Sequence, residues 1–257
     1  MSDVSLVMQA AIDEAEAKLS ELNLDIHSHP ELGYQEHHAH DAIVRALRSL
    51  GFTVTPHAYD IPTSFLADYG SGGRLVVFNA EYDALPKIGH ACGHNLIMTA
   101  SFSGFIAATA ALKHSGKPGR VRLLGTPAEE GGGGKALLIS RGAYEGVDAC
   151  VMAHPTNMTA MGKTSLERHH IQPPLTVKGK ESHAAASPWN GQNALDAVVG
   201  GYVHVSMIRH ALYPAERVHG IITQSGVKNN IIPDIASVNY GVRAPTMDIG
   251  SRFYAIK

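Results

Sequence analysis

The segment Leu75–Ala80, with the sequence LVVFNA, constrains the fold of this chain more than any other. It is apolar on both faces, which is expected for a central strand of a sheet that is covered on both sides. Short runs rich in Val, Phe and Leu at residues 52–59 and 64–69 lie between turn residues and predict two further strands. Helical spacing of apolar residues precedes them at 4–26 and 36–50. The pattern predicts an α/β fold built around a covered sheet.

Polar side chains follow three of the predicted strands at the point where each ends. The strand at 75–80 leads into an acidic turn and then into the segment GHACGHN, and the strands predicted at 121–124 and 149–154 also end in acids or histidine. Ligands of open α/β sheets bind beyond the carboxyl ends of the strands. We therefore expect these side chains to converge. They are Asp83, Cys92, His94, Glu129, Glu130 and His154.

This set of side chains suits a zinc ion that takes part in catalysis. Zinc prefers thiolate, imidazole and carboxylate ligands, and a catalytic site leaves one position open. Two adjacent glutamates allow one to bind metal while the other takes a proton from an attacking water. Asp83 is predicted to orient an imidazole. Cys92, His94, Glu130 and His154 supply this mixture of metal ligands, and Glu129 is the neighbouring glutamate.

Two other interpretations of the same residues are weaker. Cys92 lies between His90 and His94 and could be an activated nucleophile, but a thiolate mechanism has no need of the paired glutamates. The polar residues could also be satisfied separately, although three clusters at three strand ends make that the less economical explanation.

Composition excludes several classes of partner. The chain has 21 basic and 23 acidic residues, a net charge of -2 and no block of like charges, so it lacks the charge pattern expected of a nucleic-acid-binding protein. The first 14 residues do not resemble a signal peptide, and no segment approaches the uninterrupted apolar length of a membrane span. With two cysteines in 257 residues, a reduced compartment is favoured, and we predict a cytoplasmic protein with a small-molecule partner.

The pattern changes from about residue 164. A strand at 166–178, a helix at 194–212 and strands at 218–225 and 236–243 predict a small α+β unit, with a polar connection at 227–233. The predicted domains are 1–163, which carries the metal ligands, 164–247, and a divergent tail at 248–257.

Five motifs, taken in order, resemble the M20 metallopeptidase and aminoacylase family. The cysteine between the two histidines points to its amidohydrolase branch. The motifs are PELG at 30–33, DALP at 83–86, GHACGHN at 89–95, PAEEGG at 127–132 and SHAA at 182–185.

The resemblance implies a Rossmann-like zinc-exopeptidase catalytic domain with an inserted α+β dimerisation lid. It implies one or two Zn²⁺ ions, with Mn²⁺ or Co²⁺ as alternatives, and a homodimer that hydrolyses N-acyl amino acids or small dipeptides with a free carboxylate. No nucleic acid or membrane partner is implied. Matching by position makes Cys92, His94, Glu130 and His154 metal ligands and makes Glu129 the general base. It also makes His183 a lid residue that polarises the scissile carbonyl in the partner subunit's site, and makes Asn230 and Arg243 substrate-binding residues.

The sequence departs from the family pattern near its end. In relatives the chain returns from the lid to complete the catalytic domain and brings one more metal-binding histidine, whereas this sequence stops at Lys257. We therefore expect both domains to be incomplete. The alternative function is a catalytically inactive or repurposed binding protein of the same family.

Overall fold

A computed structural model of the protein describes residues 3–155, 168–171 and 174–245. The chain divides into two compact units, residues 1–159 and 160–257, and each is described by itself. The predicted domain boundary and the predicted roles of the two domains stay predictions. The predicted strand at 166–178 lies partly outside the described residues.

The first unit alternates helices and strands much as its sequence pattern predicts. The predicted helix at 96–114 begins earlier, so that His94 is its first residue. The first predicted strand ends early, because His57, Tyr59 and Asp60 have positive φ angles and turn the chain. The elements are α1 (Asp3–Ser28), α2 (His37–Ser49), β1 (Val54–Pro56), β2 (Phe65–Ser71), β3 (Leu75–Ala80), α3 (His94–Ser115), β4 (Gly119–Gly125), α4 (Gly134–Ser140) and β5 (Ala149–Val151).

The five strands of this unit form one sheet in the order β1-β2-β4-β3-β5. β3 pairs in parallel with both β4 and β5, while β2 is antiparallel to β1 and β4. The three parallel strands therefore end at the same edge of the sheet. This is the arrangement that the polar residues at the strand ends predicted.

Apolar side chains cover β3 on both faces. On one face Ala80 belongs to a core that includes Phe102 and Phe105 of α3 together with residues of α1 and α2. On the other face Leu75 and Val77 pack in a second core with Leu138 of α4 and neighbouring residues. Burial on two sides explains why LVVFNA lacks an alternating polar pattern.

Helix α3 corrects the expectation that no segment of the chain approaches the apolar length of a membrane span. Its 22 residues have a mean hydropathy of 1.5 in the most apolar window, so by length and composition it could cross a membrane. Half of that window is buried within the structure, and Phe102 and Phe105 are fully buried. Packing in the protein core accounts for its apolar composition.

The second unit is a mixed α+β structure, and three of its elements differ from prediction. The helix predicted at 194–212 ends at Met207 and continues as a short 3-10 turn. The connection predicted at 227–233 contains a short strand, Ile231–Ile232, that pairs with the strand Ser182–His183. Within the single strand predicted at 166–178, the described residues form two strands, Arg168–Ile171 and Leu175–Lys178. The elements are β6 (Arg168–Ile171), β7 (Leu175–Lys178), β8 (Ser182–His183), α5 (Ala194–Met207), β9 (Arg217–Gln224), β10 (Ile231–Ile232) and β11 (Ile235–Ala244).

The long strand β11 organises this second unit. It pairs antiparallel with β6, β7 and β9. A small core joins α5 to β11 through Ala194, Val198, Ala236 and Val238.

Candidate metal centre

Two buried carboxylates follow β3 at a spacing of two residues. Glu81 and Asp83 are each 1% exposed. Asp83 Oδ1 lies 2.9 Å from Nδ1 of His94, the first residue of α3. Because a carboxylate accepts, Nδ1 donates a proton to Asp83, and Nε2 is the nitrogen that remains for a metal. Asp83 thus fixes the ring of His94 in the form that binds a metal.

The free nitrogen of His94 lies among carboxylate oxygens. Nε2 is 3.4 Å from Glu81 Oε2, 3.6 Å from Glu130 Oε1 and 3.8 Å from Glu129 Oε2. His94 Nε2 and Glu81 Oε2 are buried, and neither has a hydrogen-bond partner among the described residues. Burial lowers the pKa of His94, but Asp83, Glu81 and Glu130 outweigh it, so that the pKa is raised overall.

Two hydrogen bonds to carboxylates hold the turn that carries the two glutamates. Ala128 has a φ angle of 58°, and its backbone N–H donates to Glu36 Oε1 at 2.8 Å. The N–H of Glu130 donates to Asp83 Oδ2 at 2.9 Å. Burial raises the pKa of Asp83, but its hydrogen bonds with His94 and Glu130 lower it overall, so Asp83 is ionised and links the turn to α3.

Cys92 and His154 lie together at the same edge of the sheet. Cys92 Sγ is 3.4 Å from His154 Nε2, while His154 Nδ1 donates to the carbonyl oxygen of Pro155 at 2.7 Å. The Nε2 lone pair of His154 therefore faces the sulfur.

The pKa of the Cys92 thiol argues against a nucleophilic role. Burial, followed by hydrogen bonding and charge repulsion from Glu130, raises this pKa to about 12. Without a metal the thiol keeps its proton at neutral pH and is a poor nucleophile. A bound metal ion would displace that proton and take the thiolate as a ligand.

Two groups of side chains at this edge could hold metal ions. One is Cys92, His94 and His154, and the other is Glu81, His94 and Glu129; within each group the ligand atoms lie within 4.8 Å of one another. Thiolate, imidazole and carboxylate suit zinc and similar ions, and the acids around His94 would repel one another less around a cation. The residues therefore fit a metal, with His94 common to both groups.

The roles predicted for the two glutamates stay predictions. Glu130, the predicted ligand, contacts Cys92 and lies near His94, whereas Glu129, the predicted base, belongs to one of the two candidate ligand groups. The oxygens of both lie at similar distances from His94 Nε2.

Sequence reasoning did not identify two residues of this site, Glu81 and Lys135. Lys135 follows the four-glycine run at the start of α4, and its ammonium group pairs with Glu81 Oε1. Glu81 could have been found from its spacing, because side chains two residues apart at the end of a strand point the same way. Nothing in the sequence links Lys135 to a carboxylate 54 positions earlier.

The other predicted site residues lie in the second unit. His183 on β8 pairs with Ile231 on β10, and the N–H of Ala184 donates to the carbonyl oxygen of Asn230 at 2.9 Å. Arg243 is on β11, in a different sheet, opposite Arg217. The structure thus brings His183 and Asn230 together but places Arg243 apart from them, and their roles in substrate binding stay predictions.

His183 has a defined hydrogen-bonding state. Its Nδ1 accepts from the N–H groups of Ala185 and Ala186, at 3.2 and 3.1 Å. Nε2 of the exposed ring therefore carries a proton that it can donate.

Two enzymes are among the known proteins that are similar to this chain. The chain is 44% identical over 251 residues to the Xaa-Arg dipeptidase of Mus musculus, in an alignment that covers 92% of this chain and 57% of that protein. It is 34% identical over 265 residues to one of the subunits of the p-aminobenzoyl-glutamate hydrolase of Escherichia coli strain K12, with 96% and 55% covered. The chain thus spans little more than half the length of these relatives.

Solved structures share the fold at low sequence identity. The aminobenzoyl-glutamate utilization protein of Klebsiella pneumoniae matches with a TM-score of 0.71 and 18% identity, over 96% of this chain and 72% of that one. The YXEP protein of Bacillus subtilis, a dinuclear metal-binding peptidase from the M20 family, matches with a TM-score of 0.60 and 22% identity, over 94% and 67%.

The family resemblance predicted from the motifs is confirmed by the family model. The model of peptidase family M20/M25/M40 matches residues 77–232, which is more than half of the 257-residue chain and includes all the candidate metal ligands at the edge of the sheet. The chain therefore belongs to peptidase family M20/M25/M40.

Proposed function

We propose that this protein uses zinc to hydrolyse the amide bond of a dipeptide or an N-acyl amino acid that carries a free carboxylate. The observation that carries the proposal is the buried Nε2 of His94, which lies among three carboxylate oxygens and has no hydrogen-bond partner among the described residues. The names of the two relatives, an Xaa-Arg dipeptidase and an aminobenzoyl-glutamate hydrolase, support this substrate class. The dinuclear YXEP protein supports a site for two ions.

At the edge of the sheet, some residues would bind the metal and another would act as the general base. When bound, zinc supplies a Lewis acid that activates water and polarises a carbonyl. Cys92, His94, Glu130 and His154 would hold it. Glu129, whose side chain is 43% exposed, would take a proton from the attacking water and pass it to the leaving amine.

The second unit would bind the substrate. The planar guanidinium of Arg243 can form two parallel hydrogen bonds with a carboxylate, and the side chain of Asn230 would form a further hydrogen bond with the substrate. The protonated Nε2 of His183 would donate to the carbonyl oxygen as negative charge develops there. We assign this histidine to the active site of the partner subunit in a homodimer.

The experiment that tests the proposal compares Glu129→Gln with wild type. Purified chain loaded with zinc is assayed on Xaa-Arg dipeptides, aminobenzoyl-glutamate and N-acetyl amino acids. Loss of the base should reduce the rate by about 10²- to 10⁴-fold and leave the zinc content unchanged. Glu16→Gln, on the exposed side of α1, is the matched control and should retain full activity.

Two outcomes would contradict the proposal. Hydrolysis that survives in Glu129→Gln would remove Glu129 from the mechanism. A wild-type chain that binds zinc but cleaves no member of the panel would favour the binding-protein alternative.

A further inference from the structure

A second cluster of metal-binding side chains lies where α1 meets α2. Asp25 and His29 are one helical turn apart at the end of α1, and His38 is in the first turn of α2. Asp25 Oδ2 is 3.0 Å from His38 Nε2, and Asp25 Oδ1 is 3.1 Å from His29 Nδ1. The ligand atoms of all three residues lie within 4.8 Å of one another.

The spacing of these atoms is close to that of a metal site. Zinc binds nitrogen and oxygen at about 2.0–2.1 Å, which in tetrahedral geometry separates any two ligand atoms by about 3.3–3.4 Å. The two carboxylate–imidazole separations are within a few tenths of an ångström of that value. The same distances also fit hydrogen bonds, so the geometry suits both a metal-free and a metal-bound cluster.

Hydrogen bonds to the carboxylate of Glu31 fix the backbone beside the cluster. Glu31 accepts from the N–H groups of His38 and Ala39, at 2.9 and 3.0 Å, and so fixes the start of α2. The two imidazole rings lie 4.2 Å apart between centroids. Because this loop is already ordered, binding a cation would require little additional ordering of the chain.

Solvent reaches all three side chains. The exposed fractions are 34% for Asp25, 54% for His29 and 37% for His38. An ion can therefore enter from water and keep a water molecule as its fourth ligand. Two imidazoles and one carboxylate suit borderline ions such as zinc, nickel or copper better than calcium or magnesium.

We propose that Asp25, His29 and His38 form a second transition-metal site, separate in its residues from the metal centre at the sheet edge. The ion would take one atom from each side chain. His38 Nε2 now donates to the carboxylate of Asp25, and His29 Nδ1 donates to the backbone carbonyl oxygen of Asp25 at 2.9 Å. Both nitrogens would lose these protons when the ion binds, and each neutral ring would then carry its proton on its other nitrogen. The site does not depend on the proposed hydrolytic function, because its ligands take no part in that mechanism.

The test measures zinc binding by the chelator-stripped chain. Isothermal titration and elemental analysis should show one equivalent less of zinc per chain in His38→Ala than in wild type. The exposed neighbouring histidine supplies the matched control, because His37→Ala should bind as much zinc as wild type. Asp25→Asn, which removes the charge but keeps the shape, should also lose this equivalent.

Thermal unfolding without zinc checks that the variants fold like wild type. Equal zinc stoichiometry and affinity in wild type, His38→Ala and Asp25→Asn would overturn the proposal and leave the cluster as a set of hydrogen bonds. Loss of the same equivalent in His37→Ala would also overturn it, because binding would then belong to exposed histidines in general.

Discussion

Glu81 carries a buried negative charge at the metal centre. One of its oxygens pairs with Lys135, and the other is buried 3.4 Å from His94 Nε2 without a hydrogen-bond partner among the described residues. A buried charge is costly unless it is paired, and a metal ion beside the unpaired oxygen would supply the missing partner.

Replacing this carboxylate should weaken metal binding. We expect Glu81→Gln, which keeps the size of the side chain but removes its charge, to lower zinc affinity by about 10- to 100-fold. Competition with a chromogenic chelator measures the Kd. Glu21→Gln, on the exposed face of α1, should leave the Kd unchanged.

A second variant separates metal binding from the ion pair. Lys135→Met also breaks the contact with Glu81, but it leaves the carboxylate in place. If Glu81→Gln and Lys135→Met lowered stability alike and left the zinc Kd as in wild type, Glu81 would be a structural partner of Lys135 alone.

Site residues could be predicted from the sequence where they lie close together in one short motif. Cys92 and His94 share one short motif, and Glu129 and Glu130 are adjacent, so the sequence showed them directly. Lys135 was not predictable, because its contact with Glu81 depends on how α4 packs against the end of β3.

At the scale of elements, the start of α4 presses against the turn that carries the glutamates. A Cβ atom on Gly134 would lie 1.7 Å from the carbonyl oxygen of Pro127, far inside any allowed contact. The N–H of Gly134 also donates to the carbonyl oxygen of Ala128 at 3.2 Å. Glycine at this position therefore lets the helix and the turn approach each other.

Adding a methyl group there should displace the turn. We expect Gly134→Ala to lower the free energy of unfolding by about 1–3 kcal/mol and to weaken zinc binding, because Glu129 and Glu130 must shift with Pro127. Chemical denaturation and zinc titration measure the two effects. Gly201→Ala is the control, since no atom lies within 4 Å of its added Cβ; equal behaviour of the two variants would contradict the argument.

Most elements could be predicted from periodicity, but their ends could not. The strand predicted at 149–154 has three residues in the structure, because pairing with β3 stops at Val151 and the chain then leads to His154. The predicted strand at 52–59 stops at Pro56, because left-handed φ angles at residues such as Tyr59 are not visible in an apolar pattern. Strand order was likewise set by packing between distant segments.

At the scale of the molecule, the candidate ligands of the metal centre all belong to the first unit, residues 1–159. A ligand that binds the folded state and not the unfolded state adds stability, by about 2.7 kcal/mol at a concentration of 100 times its Kd. Metal should therefore control the stability of this unit. The cytoplasmic location and the homodimer stay predictions.

Removing the metal should lower the unfolding temperature. We expect a chelator to reduce the midpoint of the zinc-loaded chain by roughly 5–10 °C, since about 1 kcal/mol shifts a unit of this size by about 2–4 °C. Differential scanning calorimetry measures the shift, and added zinc should reverse it. Cys92→Ser should show a smaller shift of the unfolding midpoint. A wild-type midpoint that changes with neither chelator nor zinc would count against a metal centre.

The parallel pairing of β3 with β4 and β5 has a consequence for biosynthesis. The candidate ligands lie between residues 81 and 154, and they meet only after β3 has paired with both β4 and β5. Such pairing between segments that are distant in the sequence forms slowly. A nascent chain emerges from its amino-terminal end and folds by units, so a ribosome-bound chain that has not reached His154 lacks a complete Cys92–His94–His154 group. We therefore expect metal loading to be a late step in the maturation of this protein, which follows folding of the first unit.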